Sequence, residues 1–229
     1  MTRLASSCRA GYVALAVIDS ALAGSARPRA HRTRRVTKPL LLPVLAAGFA
    51  ADPRAARSPL RTSTQVAQVC GWAGDIALLR TGLVPFAAGM GAFGAGHAAY
   101  ITGMRKHVGD RPLWKGRPAQ LAAAVWALLG PALARGAARQ ERVLGPAVLA
   151  YAALLSATAA YAGNLGADLP ADARRASLAG ALAFLLSDGL LATGQFLLDD
   201  PPPLLESAVM ASYTLAQGLL AEGALRAAG

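Results

Sequence analysis

The chain has 229 residues, of which 55% are hydrophobic and only 15% are charged, and its mean hydropathy is +0.40. Soluble domains carry roughly 25% charged residues, so this composition argues against an ordinary soluble domain. The net charge of +11 comes from short basic clusters between apolar blocks, without interleaved aromatic residues, which favours anionic lipid headgroups over nucleic acid as a partner.

Apolar segments follow one another along almost the whole chain, and a membrane-spanning helix needs about 20 residues. The first segment is followed by a sequence that resembles a signal-peptide cleavage site, but Asp19 interrupts its apolar core and favours a retained helix. The second is short and carries Pro39 and Pro43, which predicts a tilted, kinked or partly re-entrant helix. The eight segments are 8–25, 38–51, 63–80, 83–104, 118–134, 144–162, 176–197 and 204–225.

These segments and the short loops between them predict the fold class. We expect an all-α polytopic membrane protein, with about eight transmembrane helices in one bundle and a single domain over residues 1–229. Arg and Lys are slightly more numerous on the side that holds both termini, which predicts cytoplasmic termini. The expected location is the bacterial cell (inner) membrane.

Polar residues inside the segments fall on single helical faces. Helical periodicity turns each set in one direction, and the cost of polar groups in lipid predicts that this direction is the bundle interior. The aligned sets are Gln65, Gln68, Trp72 and Asp75; His97 and Tyr100; Tyr151, Thr158 and Tyr161; Asp188 and Gln195; and Met210, Tyr213 and Gln217.

Asp75 and Asp188 each interrupt an apolar run, in the third and seventh segments. These two spans run in the same direction, so both carboxyl groups are expected at similar depth near the bilayer midplane. A charge there costs roughly 2.5–3.5 kcal/mol, which calls for a functional reason. Two carboxyls in one desolvated site can divide the work, one as general acid and one activating water. The sequence leaves open which aspartate has which role.

The two aspartates also fit a possible internal repeat. Asp75 and Asp188 are separated by the same number of residues as Tyr100 and Tyr213, and this distance corresponds to four spans. The spacing fits a tandem duplication of a four-helix unit. It fits an accidental match equally well.

Five short motifs occur along the chain in a specific order: TKPLLLP, GWAGDIALL, GHAAY, FLLSDGLLA and SYTLAQGLL. In order and spacing, the chain resembles the YhhN-like lysoplasmalogenase family over about residues 36–222. The resemblance implies an eight-helix membrane enzyme that hydrolyses the vinyl ether bond of lysoplasmalogens to a fatty aldehyde and a glycerophospho-ethanolamine or -choline. It marks as site residues Lys38, Asp75, His97, Tyr100, Ser187, Asp188, Tyr213 and Gln217.

The resemblance and the paired acids together predict a mechanism. One aspartate protonates the vinyl ether at carbon and the second orients water, and no metal or organic cofactor is required. Four other residues would hydrogen-bond the carboxyls, the water or the ether oxygen. These are His97, Tyr100, Tyr213 and Gln217. The expected partners are a lysophospholipid substrate and membrane lipids, and no protein partner is identifiable from the sequence.

Lys38 carries a separate prediction. It lies between Thr37 and Pro39, a setting suited to the first turn of a helix, and three arginines precede it between residues 32 and 35. A helix N-terminus with these cations would bind phosphate at the membrane face. The alternative is that Lys38 only anchors the helix at the interface.

Two other functions fit the same polar residues. Midplane acids, a histidine, a possible repeat and a proline-broken helix are also typical of a transporter or proton-relay protein. A non-catalytic membrane scaffold is the third reading. A lipid-hydrolase assay separates the enzyme from both, and proteoliposome flux separates transporter from scaffold.

Overall fold

The computed structural model describes residues 2–109 and 112–229, and helices dominate both ranges. The α-helices are α1 Arg3–Ala23, α2 Pro28–Ala50, α3 Arg61–Ala77, α4 Leu83–Met104, α5 Arg117–Gln140, α6 Leu144–Gly163, α7 Ala171–Phe196 and α8 Pro203–Arg226. The all-α prediction with eight helices is confirmed for the part of the chain that the structure describes.

Short connections make neighbouring helices antiparallel, and the strongest packing is between α1 and α2, α3 and α4, α5 and α6, and α7 and α8. Helix α8 also packs against α1, α2 and α3. Helix ends therefore form two faces. We call the face with the start of α1 and the end of α8 the terminal face. The connection face holds the α1–α2, α3–α4, α5–α6 and α7–α8 connections.

Three helices, α5, α6 and α7, are long and apolar enough to cross a membrane, among the helices in the described ranges. The other helices have the buried polar residues or basic clusters that lower their hydropathy. Small residues bring the helices together: a Cβ at Gly180 of α7 would lie 2.9 Å from the backbone nitrogen of Leu220 in α8. Close backbone approach of this kind is typical of helix packing in membranes.

Helix α2 differs from its prediction. It is one helix of 23 residues with Pro39 and Pro43 inside it, so the prediction of a short second segment is wrong. The start was hidden because the first turns are rich in arginine and lack an apolar pattern. Pro28 is the first residue of α2, a position where the missing N–H of proline removes no hydrogen bond from the helix. Lys38 consequently lies in the middle of α2, and the predicted position in a first turn is wrong.

Trp72 helps to explain why α2 continues through its prolines. Pro43 has no N–H, so the carbonyl oxygen of Pro39, four residues earlier, lacks its partner within the helix. The indole nitrogen of Trp72 in α3 donates to that oxygen over 3.0 Å. Trp72 is 41% exposed, whereas Asp75 on the same helix is buried. The prediction that Trp72 faces the bundle interior with Asp75 is therefore wrong.

A cluster of ion pairs fastens the terminal face. Asp52 precedes a short 3₁₀ turn, Pro53–Arg57, and accepts hydrogen bonds from the Arg54 side chain over 2.9 and 3.1 Å. Glu222 of α8 pairs with Arg9 of α1 and lies 3.7 Å from Arg54. The hydrogen bonds from Arg54 are the largest cause that lowers the pKa of Asp52 to about 2. This network joins α1, α8 and the α2–α3 connection.

Candidate active site

A cavity of about 760 Å³ lies inside the bundle, with walls from α2 through α8. This volume is within the range of small-molecule sites. Its lining reaches the α3–α4 connection at residues 80–83 and the α5–α6 connection at 140–141, so it extends to the connection face. Most of the wall is apolar. It includes Phe86, Met90, Phe93, Trp126, Leu129, Leu133, Val148 and Leu155.

Asp75 and Asp188 both line this cavity. Asp75 is in the last turn of α3, and Asp188 is about two turns before the end of α7. The two antiparallel hairpins that contain these helices therefore bring both carboxyl groups into one cavity. Asp75 lies near the connection face and Asp188 nearer the middle of α7, and the predicted midplane depth of the pair stays a prediction.

Asp75 is held by a cation and a phenol. Its side chain is 1% exposed; one carboxylate oxygen lies 3.6 Å from Lys38 Nζ, and the other accepts a hydrogen bond of 2.9 Å from the Tyr213 hydroxyl. Lys38, itself 11% exposed by side chain, approaches from the middle of α2. Opposite charge and hydrogen bonds to the carboxylate both stabilise its ionised form.

The packing of α3 against α4 explains why Asp75 is preceded by Gly74, a residue without a side chain. A Cβ at Gly74 would lie 2.6 Å from the ring of Phe93 in α4. That ring packs edge-to-face against Phe184 and Tyr213, at centroid distances of 6.3 and 5.7 Å. The Gly-Asp pair therefore lets an aromatic cluster seat Tyr213 against Asp75.

Asp188 has a different environment. It is half-buried, and it accepts a short hydrogen bond from the hydroxyl of Tyr151 in α6. No salt bridge to Asp188 occurs among the described residues. A tandem repeat would place Tyr100 beside Asp188 as Tyr213 is beside Asp75, but Tyr151 has that position. The repeat itself stays a prediction.

A chain of hydrogen bonds runs behind Asp75. The Tyr100 hydroxyl donates to Gln217 over 3.3 Å, and the Gln217 amide donates to the Tyr213 hydroxyl over 3.4 Å. Tyr213 then donates to Asp75. Tyr100 and Gln217 are buried and lie outside the cavity lining. They contact Tyr213 directly or through one another and do not touch the carboxylates, and their predicted role in the reaction stays a prediction.

His97 and Ser187 also have partners other than the carboxylates. Nδ1 of His97 is 3.1 Å from the Thr158 hydroxyl of α6, and its ring packs 4.5 Å from Phe184. Ser187 lines the cavity and donates to the carbonyl oxygen of Val209 over 3.0 Å. His97 faces α6 because its face of α4 turns away from α3. His97 therefore has no contact with either carboxylate, and its predicted role toward the carboxyls, the water or the ether oxygen stays a prediction.

Two residues outside the set marked by the resemblance lie near Lys38: Asp19, and Arg34, which the sequence grouped with Lys38 at a phosphate site. Arg34 is one turn before Lys38 on α2 and also lines the cavity. Its Nε is 3.5 Å from Asp19, which is 0% exposed and accepts a hydrogen bond of 2.6 Å from Thr37. The i, i+4 spacing of Arg34 and Lys38 was the available signal, but the late predicted start of α2 concealed it.

Metal-ion binding has no ready ligand set here. Within the two described ranges, no group of three or more His, Cys, Asp or Glu side chains could hold a metal ion. The polar groups of the cavity include the two aspartates, their phenol partners, the Lys38 ammonium and the guanidinium groups of Arg34 and Arg80. Such groups can transfer protons, orient water and bind an anion.

The fold and this cavity define a class: a helical membrane protein with a carboxylate pair in a largely apolar internal cavity. The profile of the YhhN family matches residues 33–224, and the chain belongs to that family. The match includes both aspartates and all five motifs, but not α1 or Asp19. No curated protein matches the chain, and no solved structure matches it.

Proposed function

We propose that this protein is a lysoplasmalogenase-like ether hydrolase of the alkenylglycerophosphocholine/ethanolamine hydrolase type. The observation that carries the proposal is the pair Asp75 and Asp188, which have unlike partners and line one largely apolar cavity. Membership of the YhhN family supports it. The substrate class is a single-chain lysophospholipid with a vinyl ether bond.

The cavity suits such a lipid at both ends. Its apolar wall, on α4, α5 and α6, can cover a hydrocarbon chain, and burial of each CH₂ contributes about 0.8 kcal/mol. Polar residues concentrate where the cavity reaches the connection face, where a headgroup would lie. The two carboxylates line the same cavity, and a lipid bound with its headgroup at the connection face would place its ether beside them.

The unlike environments assign the two roles. Asp75 faces the ammonium of Lys38 and a phenol donor, so it acts as the ionised group that orients and deprotonates water. Asp188 has Tyr151 and no paired cation among the described residues, so it acts as the general acid. The sequence left these roles open, and this assignment of them is part of the proposal.

The reaction proceeds by proton transfer to carbon. Asp188 gives its proton to the vinyl carbon remote from the oxygen, and the π electrons of the double bond form the new C–H bond. The resulting oxocarbenium ion is attacked by water, whose proton passes to Asp75. The hemiacetal then collapses: its hydroxyl loses a proton, the bond to the glycerol oxygen breaks, and that oxygen takes a proton. One water is consumed, and an aldehyde and a free hydroxyl are released.

The membrane arrangement is part of the proposal. All eight helices span a bacterial inner membrane as one domain, with both termini in the cytoplasm and the connection face on the outer side. Helix α3 has 17 residues, at the lower limit of about 17 for a span. In this orientation, the cavity takes its lipid from the outer leaflet.

Mass spectrometry of lipid products tests the function. Purified protein in detergent is incubated with lysoplasmalogen, and the fatty aldehyde is trapped and measured. We expect aldehyde from the wild type and a loss of at least about 10²-fold for Asp75→Asn and for Asp188→Asn. Asp199→Asn, at an exposed acid in the α7–α8 connection, is the matched control and should keep its activity.

Deuterium oxide tests the chemical step. Protonation at carbon places one solvent deuterium on the α-carbon of the aldehyde, and immediate reduction to the alcohol preserves that label. An unlabelled α-carbon, or near-normal turnover in either aspartate variant, would falsify the paired-acid mechanism. Absence of aldehyde from well-folded wild-type protein would refute the hydrolase proposal as a whole.

A further inference from the structure

Two arginines line the cavity without a part in the proposed reaction: Arg80 in the α3–α4 connection, which is exposed, and Arg34 of α2, which is partly buried. Arg34 lines the cavity together with Lys38, but Lys38 points to Asp75, whereas Arg34 lies one turn nearer the start of α2 and so nearer the connection face. Its side chain is 14% exposed. Neighbouring Arg32 and Arg35 are exposed and outside the cavity lining, so the three upstream arginines are not equivalent.

Two carboxylates hold the Arg34 guanidinium from opposite sides. Asp19 of α1, which is fully buried, lies 3.5 Å from Nε, and Glu206 in the first turn of α8 lies 3.3 Å from a terminal nitrogen. The Asp19 side is fixed, since Thr37 also donates to that carboxylate. The Glu206 side is open to solvent by comparison, because the Glu206 side chain is 63% exposed.

The donor inventory leaves Arg34 able to bind a further anion. A guanidinium has five N–H donors in one plane, and its fork matches the oxygens of a phosphate. The Arg34 guanidinium donates one hydrogen bond, to the Glu206 carboxylate. Its Nε is buried and has no hydrogen-bond partner among the described residues. The Glu206 contact is a partly solvated ion pair, which contributes little and is easily exchanged.

We propose that Arg34 is the phosphate-binding residue of this cavity, that Asp19 positions it, and that phosphate displaces Glu206 from it. The shared ligand chemistry is a phosphate ester on a single-chain lipid. The inference rests on the proposed function for the identity of the lipid, since a headgroup phosphate at Arg34 leaves the adjoining glycerol ether near the aspartates. The sequence grouped Lys38 and the three arginines before it at a phosphate site, and the inference assigns the phosphate to Arg34 alone.

Binding of lipids without a vinyl bond tests this inference apart from hydrolysis. The probes are a saturated alkyl glycerophosphate and the alkylglycerol that lacks its phosphate. Trp126, which lines the cavity, reports binding as a change in fluorescence above the constant emission of Trp72 and Trp114, which are exposed and outside the lining. The quantity measured is the ratio of the two dissociation constants.

Arg34→Gln should lower the preference for the phosphate probe about ten-fold, with alkylglycerol binding unchanged. The matched variant Arg35→Gln should alter the preference less than about two-fold, because an exposed charge acts only through screened attraction. Glu206→Gln should raise affinity for the phosphate probe a few-fold, because the competing carboxylate is removed. Unchanged alkylglycerol binding also shows that each variant is folded.

Three results would overturn the inference. These are an equal effect of Arg34→Gln and Arg35→Gln, a loss of phosphate preference in Glu206→Gln, and displacement of the lipid by inorganic phosphate at equal concentration. The last result would assign the site to free phosphate. If the binding pattern holds and no aldehyde forms from lysoplasmalogen, the proposed function fails while the phosphate site stands.

Discussion

The Lys38 ammonium and the Asp75 carboxylate lie 3.6 Å apart inside the bundle, with side-chain exposures of 11% and 1%. Lys38 is therefore part of the electrostatic environment of Asp75 and does not lie at the membrane face. In a site of low dielectric constant, a cation at this distance has a far larger effect on an anion than it has in water. The pair connects α2 with α3 in the lining of the cavity.

Lys38→Met should therefore impair chemistry more than binding. We expect kcat for vinyl ether hydrolysis to fall roughly 10–100-fold, since Asp75 loses the charge that favours its ionised form. KM should change less than about three-fold. Lys38→Arg, which keeps the charge, should retain more activity than Lys38→Met. A rise in KM with normal kcat would instead return Lys38 to the role of a headgroup anchor.

The tyrosine partners of the carboxylates should differ in importance from Tyr100. Tyr213→Phe and Tyr151→Phe each remove a hydroxyl that touches an aspartate, so we expect kcat to fall about ten-fold in each. Tyr100→Phe acts only through Gln217 and should lower kcat less than about three-fold. Steady-state kinetics with equal amounts of folded protein provide the measurement. An equal fall in kcat in all three variants would contradict the distinction between tyrosines that contact an aspartate and Tyr100, which does not.

The sequence predicted the residues that one helical face can reveal. Asp75, Tyr213 and Gln217 lie on the faces that periodicity assigned to the interior, and Tyr213 and Gln217 stay connected because they are one turn apart. Periodicity identifies a face but not the helix that it meets. For this reason the partner of Asp188, Tyr151, and the partner of His97, Thr158, required the packed bundle.

The composition of α2 made the positions of Lys38 and Arg34 hard to predict from the sequence. The first turns of α2 are polar and the prolines suggest a break, so a pattern of apolar residues starts the helix near Lys38 instead of Pro28. Arg34 consequently looked like a loop residue. The donor that satisfies the Pro39 carbonyl comes from Trp72, distant in sequence, and no local signal predicts such a contact. Long-range contacts of this kind are where local reasoning fails.

Gly74→Ala should destabilise the site locally. The added Cβ would lie 2.6 Å from the Phe93 ring, so the aromatic cluster around Tyr213 must shift, at a cost of about 1–3 kcal/mol. Thermal unfolding in detergent measures the change. Gly91→Ala, on α4, is the matched control because nothing lies within 4 Å of its added Cβ. Equal melting temperatures for the two variants would show that Phe93 yields without cost.

The ion pairs of the terminal face predict a pH dependence. The pKa of Asp52 is lowered to about 2 from an ordinary 3.8, chiefly by hydrogen bonds from Arg54. A lowered folded-state pKa means that this stabilisation is complete above pH 4 and is lost as the pH falls through 4 towards 2. Asp52→Asn should therefore lower the melting temperature at pH 7, and the difference from wild type should shrink below pH 4. Asp199→Asn should show no such convergence, and a constant difference for Asp52→Asn would contradict the ion-pair explanation.

Asp19 and Arg34 should be energetically coupled. Asp19 is fully buried, and Arg34 is its cationic partner at 3.5 Å, so Asp19→Asn leaves the guanidinium without its buried counter-charge. Removing one member of a buried pair costs up to roughly 3–5 kcal/mol, and we expect a value near the lower end because Arg34 retains Glu206. The double variant Asp19→Asn/Arg34→Gln should lose less unfolding free energy than the sum of the losses in the two single variants. The difference, which is the coupling energy, should be about 1–3 kcal/mol. Denaturant unfolding of the four proteins gives this number. Strict additivity would mean that Asp19 acts through Thr37 alone, and Thr37→Val would then reproduce the whole effect of Asp19→Asn.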